Sequence, residues 1–180
     1  MMRSDRKQTV LTVSYAGVCL ALCLVLPFAT ASIPGIGKLL CPMHLPALLC
    51  GMLCGPWYGL LVGMVAPVLR SLLFGMPKLF PTAVGMCFEL GCYGLVAGLL
   101  IRRFPKRVGF LYVTLLLAML SGRLIGGLFK CVLLFSGVLE KYTLSIFLTG
   151  YFVETLPGVV LQLILIVPIV LALRKAKLLA

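Results

Sequence analysis

The chain has 180 residues, of which 62% are hydrophobic and only 11% charged, with a mean hydropathy of +1.20. That leaves too little polar surface for a water-soluble domain. At about 20 apolar residues per crossing, the length holds roughly six membrane helices, so residues 1–180 are read as a single transmembrane domain. The formal net charge of +12 is read as the basic excess of cytoplasmic loops, not as a nucleic-acid surface.

The first apolar run, Thr9 to Phe28, follows Arg3, Arg6 and Lys7 and precedes Ala29-Thr30-Ala31, which mimics a signal-peptide cleavage site. Its apolar stretch is longer than a usual signal core, so an uncleaved first helix is expected. A Pro/Gly-rich loop from Ser32 to Lys38 leads to helix two, about Met43 to Cys54, short for a span and expected to be bent by Pro46. The turn Gly55-Pro56-Trp57 carries an interfacial aromatic, and helix three runs from Tyr58 to about Leu73. The loop Phe74 to Pro81 separates it from helix four, about Thr82 to Ile101. After the basic block Arg102 to Arg107, helix five spans Val108 to about Leu134. Helix six is expected from Leu144 to Leu173, with Pro157 inside it.

Six spans place both termini on one side. Ten of the sixteen Lys and Arg lie at the amino terminus, in the loop after helix four and in the carboxyl tail. The opposite side holds Lys38, Arg70, Lys78, Lys130 and Lys141. The positive-inside rule therefore predicts an all-α membrane protein of six transmembrane helices with both termini cytoplasmic.

Ionisable groups inside apolar runs are tolerated when they are paired or face a cavity. This chain has four acidic residues and one histidine, so His44, Arg70, Glu89, Arg123, Lys130 and Glu154 stand out. At 1.5 Å per residue, Glu89 lies ~10 Å from the outer end of helix four, Glu154 ~15 Å from that of helix six, and Arg123 ~22 Å from the inner end of helix five. All three fall in the outer half, where His44, Arg70 and Lys130 also sit, which describes an outward-facing substrate pocket. Helical spacing puts Tyr93 on the face of Glu89, Gly127 and Lys130 on that of Arg123, and Tyr151, Gly158 and Gln162 on that of Glu154. Such stripes mix charge, aromatic area and small residues, as a ligand pocket does. The alternative is a structural ion pair between Arg123 and Glu154 or Glu89.

Gly17 and Ala21, four apart on helix one, form a small-xxx-small face that permits close helix contact, with another subunit or internally. The eight cysteines contain no C-x-x-C pair and read as small packing residues. Cys19 with Cys23 and Cys50 with Cys54 would be helical neighbours, but they lack the further ligands a metal wants. Gly35-Ile36-Gly37-Lys38 has neither the spacing nor the following Ser/Thr of an ATP-binding phosphate loop. No G-x-S-x-G with a partner histidine and no H-E-x-x-H occurs. No enzyme activity, cofactor or metal is expected.

Over nearly its full length the chain resembles the substrate-binding S component of energy-coupling factor (ECF) vitamin transporters. The resemblance rests on the six-helix plan, on Pro42 to Leu49 after the first loop, on Cys54-Gly55-Pro56-Trp57-Tyr58-Gly59, and on Leu72 to Ala83. It implies a small subunit of the prokaryotic plasma membrane that binds one vitamin or precursor and docks on a transmembrane coupling subunit with two ATPases. It also implies a docking face on helix one, where the family's A-x-x-x-A is replaced by Gly17 to Ala21. The vitamin would lie between the outer parts of helices four to six, under loops one, three and five. Arg123 and Lys130 suit a carboxylate such as pantothenate, the first guess, while Glu89 and Glu154 suit the donors of a pyrimidine or pyridine. A self-sufficient proton-coupled carrier is the competing function.

Overall fold

A computed structural model of the chain describes residues 2–31, 41–105, 107–136 and 155–176. Among them are six α-helices: α1 (Met2–Ala31), α2 (His44–Cys54), α3 (Pro56–Phe74), α4 (Val84–Arg103), α5 (Val108–Phe135) and α6 (Leu156–Lys175). Five segments are long and apolar enough to cross a membrane: Gln8–Phe28, Pro56–Phe74, Leu79–Arg103, Val108–Phe135 and Leu156–Lys175. The exception is α2, whose 11 residues extend only about 16 Å at 1.5 Å per residue.

Local chemistry sets the helix ends. Gly55 takes φ 101°, a region closed to most side chains, so α2 can turn directly into α3 with Pro56 in its first turn. Gly75 ends α3 in the left-handed conformation at φ 69°, its N–H donating to the Ser71 carbonyl at 2.9 Å. The Ala83 N–H reaches back five residues to the Lys78 carbonyl at 3.0 Å, a wide π-type turn that feeds α4.

Two prolines behave differently from expectation. Helix six starts at Leu156, so Pro157 lies in its first turn instead of mid-helix. There its missing amide removes no intrahelical bond. The part of the expected helix between Leu144 and Glu154 lies outside the described residues. Pro46 likewise falls in the first turn of α2, so the bend expected there has no cause.

Two apolar clusters share α2. One joins it to α4, α5 and α6 through Leu48, Met52, Tyr93, Leu115 and Ile166. The other joins it to α1, α3 and α4 through Cys19, Cys23, Ala47, Cys50, Val62 and Leu90. A helix apolar on all sides is stable when other helices enclose it, and nine of the eleven residues of α2 are buried.

Glycines bring the backbones of α2, α3 and α4 into contact. A Cβ added at Gly51 would fall on the Gly94 carbonyl, and one at Gly94 on the Gly59 carbonyl. One at Gly59 would lie 2.5 Å from Gly51 Cα, and one at Gly98 2.6 Å from Pro56 N. Gly59 and Gly63 on α3 thus face Gly94 and the Leu90–Gly91 backbone on α4, a close small-residue contact. Replacing Gly94 by Ala should lower the melting temperature of the empty protein in detergent, with an overpacking cost of about 1–3 kcal/mol or more. Gly109→Ala, at a site with nothing within 4 Å, should leave it unchanged. Equal losses in the two variants would refute the contact.

Candidate functional site

Glu89 and Tyr93 lie one turn apart on α4, and both are buried. The Tyr93 hydroxyl donates to Glu89 Oε1 at 2.8 Å. The Tyr93 ring packs against α5 because residue 122 is glycine; a Cβ there would overlap the ring. His44, the first residue of α2, brings Nε2 to 3.6 Å from the same Glu89 oxygen, with its ring centroid 5.2 Å from that of Tyr93. Arg123, buried and adjacent to Gly122, stands within hydrogen-bonding reach of Tyr93 and interacts electrostatically with Glu89. Lys130, half-buried and two turns farther along α5, also feels the Glu89 charge.

From the other side, Gln162 of α6 donates its Nε2 to the Cys41 carbonyl at 3.3 Å, tying α6 to the residues just before α2. Four helices therefore contribute to one polar region in an otherwise apolar bundle. His44 Nδ1 is buried and has no hydrogen-bond partner among the described residues. Buried polar atoms are nearly always paired, so this exception calls for an explanation.

Of the residues singled out by sequence, His44, Glu89, Tyr93, Arg123 and Lys130 come together. Arg70 does not join them. Its Nη1 donates to the Leu24 carbonyl of α1 at 2.6 Å, and its guanidinium lies 4.7 Å from the ring centroid of Phe28 and 5.6 Å from that of Phe74. Pro27 has no amide to give the Cys23 carbonyl, which lies one residue before the carbonyl that the arginine meets. Tyr151 and Glu154 lie outside the described residues. Gly17 and Ala21 are exposed on α1, and a Cβ at Gly17 would meet nothing within 4 Å. Cys19, Cys23, Cys50 and Cys54 pack into the α1 and α2 core. Among the described residues, no three His, Cys, Asp or Glu side chains converge as metal ligands do.

Gly122 escaped the sequence reading. Its signal was a glycine beside the one arginine in mid-helix five, but its purpose requires knowing that Tyr93 faces it. Gln162 was grouped with Glu154 by helical spacing, whereas its observed partner is a backbone carbonyl before α2.

Arg70 thus serves the packing of α1 on α3. Arg70→Gln should lower the melting temperature of the empty protein through loss of the carbonyl bond and both cation–π contacts, together about 2–4 kcal/mol. Substrate affinity should stay within about two-fold, inside the roughly ±0.5 kcal/mol expected for a change away from the site. A loss of affinity without a loss of stability would return Arg70 to the polar cluster.

A family model described as "ECF transporter, substrate-specific component" matches residues 12–170. No curated protein and no solved structure matches the chain. The matched span begins inside α1 and ends inside α6, so it takes in every element that builds the polar cluster. The chain belongs to the family of substrate-specific components of ECF transporters, multi-pass cell-membrane subunits that associate with the transmembrane and ATPase subunits of an ECF module and take a small-molecule substrate.

Proposed function

We propose that this chain captures a small water-soluble vitamin or precursor bearing a carboxylate, with pantothenate the first candidate, and delivers it for import by an ECF module. The observation that carries this reading is the buried cluster of Glu89, Tyr93, His44, Arg123 and Lys130 within an apolar bundle. Intramembrane charge is expensive and usually functional. Among the described residues, one carboxylate there faces two basic side chains, so the cluster carries a surplus of positive charge. A substrate carboxylate would balance it, and the planar fork of Arg123 suits bidentate contact.

The purified chain in liposomes should bind its substrate without concentrating it, because ATP hydrolysis resides in the partner subunits. Accumulation should require the ECF module and ATP. Uptake driven by a pH gradient alone would establish the competing proton-coupled carrier, with Glu89 and His44 as the proton site. A vitamin panel that shifts no melting temperature would remove the binding function altogether.

The second element of this reading is orientation. Arg102 and Arg103 in the last turn of α4, Arg107 just before α5, and Arg174 and Lys175 at the end of α6 support cytoplasmic termini with the His44 end of α2 outside. A thiol reagent that cannot cross membranes should label a cysteine introduced at Gly35 in intact cells. One introduced beside Lys106 should react only after lysis. The reverse pattern would invert the protein and close the cluster to an external substrate.

A further inference from the structure

His44 is the one histidine of the chain. Its Nε2 faces Glu89 Oε1 at 3.6 Å, and its Nδ1 is the one buried side-chain polar atom without a hydrogen-bond partner among the described residues. The other side chains of the cluster each have a partner. Tyr93 donates to Glu89, Gln162 donates to the Cys41 carbonyl, and Arg123 and Lys130 both have interactions of their own.

Which ring nitrogen of a neutral imidazole carries the proton is set by the partner of the other. A carboxylate can only accept, so the nitrogen facing Glu89 carries the hydrogen. That leaves Nδ1 as a lone pair held at the start of α2 with nothing among the described residues to accept from. Leaving a buried acceptor unmet costs about 1–3 kcal/mol, a cost the empty protein carries and a suitable ligand removes.

We propose that His44 Nδ1 is a specificity contact, accepting a hydrogen bond from a hydroxyl or amide N–H of the substrate, so that the site selects carboxylates that also carry such a donor. The proposal rests on the substrate-binding reading above and narrows it. Glu89 acts here as a positioning residue: it orients the imidazole and fixes its tautomer, while Tyr93 holds the carboxylate in place. The basic side chains Arg123 and Lys130 address the anionic end, and His44 addresses the donor. Sites built to hydrogen-bond a substrate group discriminate strongly against analogues lacking it, because a buried group is then left unpaired.

Because there is a single histidine, the chain labelled with 15N-histidine gives one imidazole to observe. In detergent at pH 8, the empty protein should show the neutral tautomer protonated at Nε2. Pantothenate, biotin, folate and nicotinate would then be tested as probes by melting temperature, and each stabilising probe by the 15N spectrum. The first three carry N–H or O–H donors besides the carboxylate; the nicotinate anion carries none. A donor-bearing probe that binds should shift the Nδ1 resonance toward the hydrogen-bonded position, and nicotinate should bind at least about ten-fold more weakly.

Two variants separate the ring's two ends. His44→Gln reaches toward Glu89 but offers no acceptor at the δ position, and should lose about ten-fold or more in affinity while the empty protein keeps its melting temperature. His44→Asn keeps an acceptor near the δ position and should lose less. An empty-state imidazolium, a proton on Nδ1, a bound probe that leaves Nδ1 unmoved, or undiminished affinity in His44→Gln would each overturn the proposal while leaving the binding function intact. If no probe stabilises the protein, the functional reading falls, and this inference falls with it.

Discussion

The backbones of α2, α3 and α4 meet at Gly51, Gly59 and Gly94 with no side chain between them. In a bilayer, lipid tails are as apolar as leucine, so burial of apolar area does not drive helices together; close packing does. Any residue other than glycine would separate the three helices, and the site depends on their separation. α2 and α4 run in the same direction across this contact. His44 stands seven residues before Gly51 and Glu89 five before Gly94, a difference of about 3 Å in height. Side chains bridge that gap, so the glycine contact sets the register in which histidine and carboxylate are level.

A second close approach orients the carboxylate. Gly122 lets the Tyr93 ring lie against α5, and the ring's hydroxyl then points at Glu89. The next residue along α5 is Arg123, so the same approach that seats the tyrosine delivers a cation to the pair. Low local dielectric strengthens each of these contacts and raises the penalty for any group left out. A cluster built this way has little freedom to rearrange, and an atom left unpaired within it is held in a defined place.

Much of the fold was legible because hydropathy and helix length report the same constraint. The expected spans Tyr58–Leu73, Thr82–Ile101 and Val108–Leu134 differ from α3, α4 and α5 by two residues or fewer at each end. Helix one extends beyond its apolar run to Met2 and Ala31, since helix formation does not stop where hydropathy does. Helix six was expected to run through Pro157, whereas a helix begins at Leu156 with that proline in its first turn; an apolar run with a proline in it does not say whether the proline sits inside a helix or opens one. Glu89 and Tyr93 could be paired from their i, i+4 spacing, a local property. Arg70 could not be assigned a partner that way: its acceptor is a carbonyl 46 residues earlier, and backbone acceptors carry no sequence signature. The glycine spacings at 59 and 63 and at 94 and 98 are present in the sequence but undirected, since spacing alone does not say which glycine meets which.

The shortness of α2 bears on how the protein reaches its folded state. An isolated helix of 11 residues falls well short of the roughly 30 Å of hydrocarbon it would have to cross. Its terminal carbonyls and amides would then sit in lipid unmet, at several kcal/mol each. α2 is therefore poorly suited to independent insertion followed by lateral association, the usual order for membrane helices. Joined to α3 by the single residue Gly55, it would enter as half of a hairpin and be sheltered by protein from the start. Assembly of the amino-terminal half thus depends on α3 being synthesised before α2 can rest in the membrane, and a ribosome stalled before Phe74 would hold a chain whose second helix has no stable place in the bilayer.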